Sequence, residues 1–499
     1  MISMAVPEDI RRVERPINTV VEARTNKDGI TTYFVRERNG FTYSDGRSRP
    51  RNGGVIGFII NGKYVPKAEG TLPSPKEVDL ITWAVEQLLM PMGEDILDDL
   101  RKCYPEKEAE MLLTMAILRI RHPELRNSRM KRDYRESTLS GIFPNLPMSK
   151  NGVCDFLQEV GSHGVAIQRF MNHRSSRLPT GTKLAVDGTL VTDNSCVNNL
   201  SAVSRKTRIR GNREVSILYA YDVSRGEPVC YSVYPGNLLD SKAYAQFIEL
   251  HDLHNAMLVG DKAFTCQAAK KQFQSERGLN FLYPVRRNCK AIEKLKLDTQ
   301  DKVLKTYPGV TYRIAEDDDG TYYYSFRDAD RAASEELAFL EQKRKSGKQI
   351  SSEDLEKLRR QWGTIIYHGD VELTAEQAYD TYRQRWLLEM MFDLYKNIED
   401  FDDTRVQSDY SVIAEHFVNF ISTILSNRLM SRFDEAGLLE KRTYGEVLDT
   451  LRRSLKFRNE EGEWIYRAQT DKEKEILRAL DLMPKLPPKR GPGRPRKNP

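Results

Sequence analysis

The sequence has few of the residues that build disulfide frameworks or zinc sites. Only six of its 499 residues are cysteines, and they lie far apart with no Cys-x-x-Cys motif. The seven histidines are scattered as well, and only His251 and His254 have a ligand-like spacing. We interpret the cysteines as reduced thiols of an intracellular protein, and the histidine pair as part of a helix surface.

Long apolar runs are also missing. No stretch approaches the roughly 20 apolar residues that a membrane-spanning helix needs. The first residues lack the basic and then apolar pattern of a signal peptide. We therefore expect a soluble, cytoplasmic protein with no membrane partner, and a chain of this length has room for two to four domains.

Excess charge is absent from the chain outside its tail, which accounts for the whole excess of basic over acidic residues. The sequence has 78 basic and 72 acidic residues, and six of the basic ones fall in the last fifteen residues, which have no acid. Proline and glycine make this tail, within residues 481–499, a flexible arm. Its core "RGPGRPRK" resembles an AT-hook, which predicts that Arg490, Arg494 and Arg496 contact an A·T minor groove. A solubilising tail is the alternative.

Two other basic clusters lie inside the chain, at residues 126–135 and 204–213. Each of them is either a phosphate-binding patch or a solvated face, and the sequence leaves this open.

The first 150 residues form an N-terminal α+β region in our interpretation. Residues 1–70 read as strands with Asn-Gly turns at Asn39 and Asn61. Helices are predicted from residue 75 onward, starting at a capping-box-like Ser74, and again over 150–173. This region has no recognisable catalytic motif.

The middle of the chain has the element order of a ribonuclease H-like α/β core. Three strands, a helix, a strand, a helix and a strand follow one another within residues 151–289. The first strand is predicted to end at Asp187 and the fourth near Asp261, on neighbouring strands, so the two carboxylates should meet. Residues 290–373 break this order and read as a strand-rich insertion. The core then resumes over 374–435, and a helical region at 436–480 is a candidate for dimerisation.

The segment "DTYRQRWLLEMMFDLYKNIED", residues 380–400, is predicted to be one uninterrupted helix. At about 100° per residue, Tyr382, Arg385, Glu389 and Lys396 share one face within about 60°. Apolar residues fill most of the remaining circle, which predicts a helix buried on several sides with an enclosed charged stripe. The alternative is a ladder of surface ion pairs such as Arg385 with Glu389.

Two strand-end aspartates and a helix-borne glutamate are the hard oxygen ligands that Mg²⁺ or Mn²⁺ prefers. A pair of such ions can clamp the attacking and leaving oxygens in phosphoryl transfer. Asp187, Asp261 and Glu389 are therefore our candidates for a metal-binding catalytic triad. Taken singly, Asp187 could be a turn residue with Asp193 as its rival, and Asp261 could cap the next helix.

The spacing of Tyr382, Arg385, Glu389 and Lys396 resembles the Y-(2)-R-(3)-E-(6)-K signature of a large group of bacterial insertion-sequence DDE transposases. "VDGT" and "GDKAF" resemble the regions that hold the first two acids of that family. The resemblance implies two Mg²⁺ or Mn²⁺ ions on the triad, and DNA contacts from Tyr382, Arg385 and Lys396. Further DNA contacts are expected from Lys262 and Arg286, and an insertion aromatic such as Trp362 could stack on a flipped base.

The function expected from this resemblance is DNA transposition. The enzyme would bind the inverted terminal repeats of its element, nick them and join the 3′-OH ends to target DNA, as a homodimer in the synaptic complex. Its partners would be double-stranded DNAs in a prokaryotic nucleoid, with no small-molecule substrate, and residues 1–150 are the candidate for end recognition. The alternatives are an inactive, domesticated DNA-binding protein and a ribonuclease H-like nuclease without strand transfer.

Overall fold

The computed structural model describes residues 6–25, 31–44, 47–66, 80–204, 211–261, 277–287, 289–347, 349–458 and 463–484. The chain divides into two compact units, Met1–Asp79 and Leu80–Pro499. Several predicted features lie outside the described residues: Lys262 and the helix expected after it, the centre of the second basic cluster, and the tail with Arg490, Arg494 and Arg496.

The first unit contains a four-stranded antiparallel meander. After the short helix α1 (Glu8–Arg11) come β1 (Thr19–Thr25), β2 (Thr31–Ser44), β3 (Arg47–Ile60) and β4 (Lys63–Pro66), paired in that order. Asn61 and Gly62 form the predicted turn, both with positive φ. The turn predicted at Asn39 is wrong, because residues 39 and 40 lie within β2, where irregular pairing with β3 between Arg38 and Phe41 absorbs them.

The second unit begins with one strand and a group of helices. These are β5 (Leu80–Thr82), α2 (Ala84–Met92), α3 (Glu94–Cys103), α4 (Glu106–Arg121), α5 (Met130–Arg135), α6 (Leu139–Ile142), α7 (Lys150–Ser162) and α8 (Gly164–Ser175). The helix predicted from residue 75 starts only at Ala84, because Leu80–Thr82 pairs as a strand with residues 455–457. Ser74 and the rest of its capping-box-like sequence lie outside the described residues.

A large mixed sheet forms the centre of this unit. Its strands are β6 (Thr182–Thr192), β7 (Ala202–Val203), β8 (Arg213–Asp222), β9 (Glu227–Pro235), β10 (Ala256–Val259), β11 (Asn280–Pro284), β12 (Lys302–Val303), β13 (Val310–Glu316), β14 (Tyr322–Asp328) and β15 (Thr364–Gly369). They are ordered β12-β13-β14-β15-β11-β10-β6-β8-β7, with β9 on β8. β6, β10 and β11 are parallel, and the described strands of 290–373 extend the same sheet through the antiparallel pair β15–β11.

The other elements cover this sheet or follow it. They are α9 (Asp240–Leu250), α10 (Lys290–Lys294), α11 (Ala329–Ser346), α12 (Ser352–Gln361), α13 (Ala375–Arg383), α14 (Trp386–Asp393), a wide π-helical turn (Leu394–Ile398), α15 (Asp409–Glu435), α16 (Tyr444–Arg452), β16 (Leu455–Arg458), β17 (Trp464–Tyr466) and α17 (Asp471–Ala479). α15 is buried around most of its circumference, against α4, α7 and β9. Among the described residues, no helix has the length and apolarity that crossing a membrane requires.

The helix-surface interpretation of the histidine pair is wrong for His251. α9 ends at Leu250, and His251 is buried between Gln168 and Ser232, at 3.2 and 2.8 Å from its ring nitrogens. Burial lowers the pKa of His251 to about 3. This histidine is therefore a neutral core residue.

Candidate active site

Two aspartates lie side by side where β10 ends next to β6. These strands are parallel, with Ala185 opposite Val259. Two residues further along each chain stand Asp187 and Asp261, so the pairing register sets them next to each other. The prediction that β6 ends at Asp187 is wrong. The strand runs on to Thr192, because its antiparallel partner β8 continues alongside it beyond the end of β10.

Hydrogen bonds hold the Asp187 carboxylate in position. Its Oδ1 atom accepts from the Gly188 amide at 2.8 Å and from the Tyr244 hydroxyl at 3.1 Å. Tyr244 is a buried residue of α9. The sequence pattern missed this contact, because no local motif marks Tyr244 and its position depends on how α9 packs over the sheet.

The prediction of an uninterrupted helix over 380–400 is wrong. α13 ends at Arg383 and α14 begins at Trp386. Between them the Arg385 amide donates to the Tyr382 carbonyl at 3.1 Å, and the Leu388 amide donates to the Arg385 carbonyl at 3.0 Å. These i to i+3 bonds tighten the turn. The π-helical turn after Asp393 shifts the helical phase a second time, so the charged stripe is not continuous.

α14 is buried on one side only, which corrects the expected burial on several sides. Leu388, Met391 and the following Leu394 are buried. By contrast, Trp386 is 51% exposed and Met390 is 38% exposed. The apolar arc of this helix therefore includes a surface that no described residue covers.

Arg385 joins the first and third carboxylates of the proposed triad. Its Nη1 atom lies 2.5 Å from Asp187 Oδ2, and its Nη2 atom lies 2.6 Å from Glu389 Oε1. Burial opposes the charge of Arg385, but Tyr382, Asp187 and Glu389 outweigh it and raise the pKa of the guanidinium. Two carboxylates from distant parts of the chain thus converge on one cation.

Tyr382 and Lys396 lie on either side of this bridge. The Tyr382 ring stacks on Tyr367 of β15, with 4.3 Å between ring centroids, and burial raises the pKa of its hydroxyl. Lys396 Nζ donates to the Leu190 carbonyl at 2.7 Å and lies 3.0 Å from Asp402 Oδ1. Lys396 therefore stands beside the last part of β6.

Two grooves meet at the Arg385 bridge. The acidic groove, of about 470 Å³, is lined by Asp187, Asp261, Tyr244, Lys396 and Asp402 among other residues. The aromatic groove, of about 430 Å³, has a lining that includes Tyr379, Tyr382, Arg383, Arg385, Trp386 and Glu389. Two of the proposed acids line the first groove, and the third lines the second.

Three of the sequence-based candidates lie elsewhere or have other partners. Asp193, the rival of Asp187, is buried and accepts hydrogen bonds from the Ser195 amide and from Asn198, so it organises its own loop. Trp362 is buried against Phe339, with 5.4 Å between ring centroids, and is not free to stack on a base. Arg286 is exposed after β11 and does not line the acidic groove.

The carboxylates fit a divalent metal in chemistry, although they are not clustered around one point. Among the described residues, no three His, Cys, Asp or Glu side chains are grouped closely enough to hold a metal ion. Arg385 is a stand-in cation between Asp187 and Glu389, and carboxylate oxygens are the donors that Mg²⁺ and Mn²⁺ select. Asp187 and Glu389 are therefore residues that would hold such a metal, and it would supply Lewis acidity there.

Comparison with known proteins identifies the part of the chain that contains this site. Residues 180–425, about half of the chain, match the family model described as "Transposase DDE domain", which supports a DDE transposase. No curated protein matches the chain significantly. Among solved structures, piggyBac transposase in a synaptic complex with hairpin DNA is 11% identical over 70% of each chain, with a TM-score of 0.39. Mos1 transposase in a paired-end complex with the left transposon end is 14% identical over 30% of this chain and 56% of its own, with a TM-score of 0.14.

Proposed function

We propose that this chain is an insertion-sequence DDE transposase of the YREK-signature group. It binds the inverted terminal repeats of its element, nicks them, and transfers the 3′-OH ends to target DNA as a homodimer. The observation that carries this proposal is the Arg385 bridge, because a signature arginine joins the signature glutamate to Asp187 inside the segment that matches the transposase family.

The fold of the proposed catalytic core is ribonuclease H-like. The spatial order β9-β8-β6-β10-β11, in which β8 alone runs antiparallel to the other four strands, supports this assignment. Residues 290–373 are the insertion of this core, although their strands widen its sheet. Two acids at adjacent strands of such a sheet are well placed for metal chemistry.

Asp187, Asp261 and Glu389 are the residues that would hold two Mg²⁺ or Mn²⁺ ions. When bound, these ions supply the Lewis acidity that activates water or a 3′-hydroxyl group and stabilises the leaving oxygen. Tyr244 keeps one oxygen of Asp187 oriented through its hydrogen bond. This contact restricts the orientations of the Asp187 side chain, so that less of its conformational freedom is lost when a metal binds.

The cations beside the triad face the DNA phosphates in this proposal. In this proposal Arg385 exchanges its contacts with Asp187 and Glu389 for a phosphate, to which its guanidinium offers parallel N–H donors. Lys396 offers a compact charge in the acidic groove. Burial keeps Tyr382 neutral, so its hydroxyl is able to donate to a phosphate oxygen. The exposed Trp386 ring, next to Arg383 and Arg385, suits an unstacked base better than the buried Trp362 does.

The test is cleavage and strand transfer on a labelled duplex that carries the terminal repeat of the chain's own element, in Mg²⁺ and in EDTA. We expect nicked and joined products in Mg²⁺ alone. Glu389→Gln should lose both products, by about a hundredfold or more, while it still binds the duplex, because the amide removes one anionic metal ligand but keeps the side-chain shape.

Glu372→Gln is the matched control, because Glu372 is an exposed carboxylate just before α13 and should be dispensable. If Glu389→Gln cleaves as the wild type does, the triad assignment is wrong. Nicking without joined products would favour a nuclease, and binding without any cleavage would favour an inactive DNA-binding protein.

A further inference from the structure

The basic cluster at residues 126–135 forms a cationic surface around α5. Its exposed cations, called the basic surface below, are Arg126, Arg129, Lys131, Arg132 and Arg135. Arg132 is paired with Glu136 at 2.9 Å. Among the described residues, no carboxylate lies within ion-pair distance of Arg129, Lys131 or Arg135. These three charges are therefore available to an external anion.

The acid of this cluster is turned away from solvent. Asp133 is only 8% exposed, and its carboxylate lies 3.2 Å from His122 Nε2 and 4.0 Å from Arg121 Nη2. The outer side of α5 consequently presents cations without the alternating acids that are typical of a solvated helix face. This arrangement favours the interpretation of the cluster as a phosphate-binding patch over its interpretation as a solvated face.

α5 is also held firmly against the core. Met130 and Tyr134 are buried, and the Arg121 guanidinium donates to the Asp133 carbonyl at 2.6 Å. The Tyr134 hydroxyl donates to the Phe143 carbonyl. Cations on a fixed element lose less conformational freedom on binding than cations on a flexible arm do.

One segment of the chain, residues 396–402, contributes to the acidic groove and to a second groove beside α5. Arg129 and Arg132 line a groove of about 580 Å³ together with Ile398 and Asp400, which follow Lys396 of the acidic groove within four residues. Arg405 fastens this junction, since its Nη1 atom donates to the carbonyls of Pro123 and Leu125 at 2.8 and 3.0 Å.

Two acids along this junction are paired with cations of the chain, whereas the exposed Glu124, which lines the groove beside α5, has no ion pair among the described residues. Asp400 lies 2.6 Å from Arg405, and Asp402 lies 3.0 Å from Lys396. Their charges are thereby offset, whereas Arg129, Lys131 and Arg135 keep theirs. The electrostatic gradient along the surface favours a polyanion that runs from the acidic groove towards α5.

We propose that the basic surface is a docking site for the phosphate backbone of duplex DNA, on the DNA segment that adjoins the reacting end. The proposal rests on the proposed transposase function. The surface binds phosphates without reading bases, because the groups that it offers are the charged side chains of Arg129, Lys131 and Arg135. Its role is to orient the duplex so that the end reaches the acidic groove.

The test measures the affinity for a fluorescein-labelled duplex of arbitrary sequence as a function of salt, in EDTA so that no cleavage occurs. Lys131→Gln combined with Arg135→Gln should weaken binding on the order of tenfold to a hundredfold at about 0.1 M salt. The slope of log affinity against log salt should become shallower by about 2, since each lost phosphate contact removes about 0.9.

Two controls make the result specific. Arg344→Gln with Lys345→Gln removes one arginine and one lysine from the solvent-facing end of α11 and should leave affinity and slope unchanged. Lys131→Arg with Arg135→Lys keeps both charges on α5 and should bind as the wild type does. Equal losses in the α5 and α11 neutralised variants, or no loss in either, would overturn the docking site.

This outcome is distinguishable from a failure of the proposed function. If the α5 variant binds normally while the wild type still cleaves terminal repeats, only the docking site is refuted. If the wild type binds duplex DNA through α5 but does not cleave, the transposase activity fails and the surface stands. A wild type that does not bind duplex DNA refutes both.

Discussion

At the scale of single residues, Arg385 explains both what the sequence pattern predicted and what it missed. The three-residue step from Tyr382 and the four-residue step to Glu389 indicated correctly that Arg385 lies close to both side chains. The pattern could not indicate that Arg385 would reach Asp187, which is 198 residues away in the chain. Helical periodicity shows only which residues of one helix lie next to each other. The contact between Arg385 and Asp187 depends instead on the packing of α14 against β6.

A second residue, Glu399, makes stability depend on pH. Glu399 is 1% exposed at the end of the π-helical turn, and neither carboxylate oxygen has a hydrogen-bond partner among the described residues. Burial raises its pKa from 4.5 to about 8, although Arg452 opposes the shift. The folded chain therefore binds a proton that the unfolded chain releases between these two values.

We expect this contribution to stability to be fully present below about pH 4.5 and to be lost as the pH rises towards about 8. Glu399→Gln should remove this dependence and make the protein more stable than the wild type at pH 8. The difference should grow by at most about 1.4 kcal/mol per pH unit. Urea unfolding from pH 5 to 8 measures this difference in the free energy of unfolding, with Glu372→Gln as the exposed control. If the free energies of wild type and Glu399→Gln change in parallel with pH, the assignment to Glu399 is wrong.

At the scale of elements, α14 shows why propensity alone mispredicted the segment of residues 380–400. Residues 380–400 contain neither proline nor glycine, so nothing local predicts the turn at Gln384 and Arg385. The order of β6, β8, β9, β10 and β11 along the chain was predicted, because alternation and turn residues mark these strands. By contrast, the continuation of β6 to Thr192 depends on pairing with β8, a long-range contact.

The orientation of α14 yields a prediction about packing. Leu388 is fully buried, whereas Met390, two residues later, is 38% exposed. Leu388→Ala should lower the free energy of unfolding by about 2–4 kcal/mol, because it leaves a cavity beneath α14. Met390→Ala should change it by less than about 1 kcal/mol. Chemical denaturation measures both, and similar losses in the two variants would show that the helix is rotated from the described orientation.

At the scale of the whole molecule, the division into units differs from the boundary expected at residue 150. The first compact unit ends at Asp79. α4 belongs to the core of the second, where Arg119 Nη2 lies 3.0 Å from Glu415 Oε1 of α15 with both side chains buried. The helical pattern of residues 106–121 predicted α4 itself, but not its partner, because amphipathic spacing does not identify what covers a buried face.

This division determines how the predicted role of the N-terminal region in end recognition should be tested. A chain that starts at Leu80 should unfold cooperatively, with a Tm close to that of residues 80–499 in the full chain. A chain that starts at residue 151 should not fold, because it lacks α4 and exposes the apolar face of α15. Thermal unfolding followed by circular dichroism distinguishes them, and cooperative unfolding of the shorter chain would show that α4 is dispensable. Footprints of the two ends with the chain from Leu80 then test the role of residues 1–79.

The pairing of α4 with α15 has a consequence for synthesis on the ribosome. Arg119 meets Glu415 across 296 residues of sequence. At about 5–20 residues per second, α4 leaves the ribosome roughly 15–60 s before the helix that covers it. During that interval the Arg119 side chain, which is buried in the folded chain, remains hydrated. The apolar side chains of α4 lack their native contacts with α15 until that helix has been synthesised. The last stretch of translation thus decides when the first part of the core becomes native.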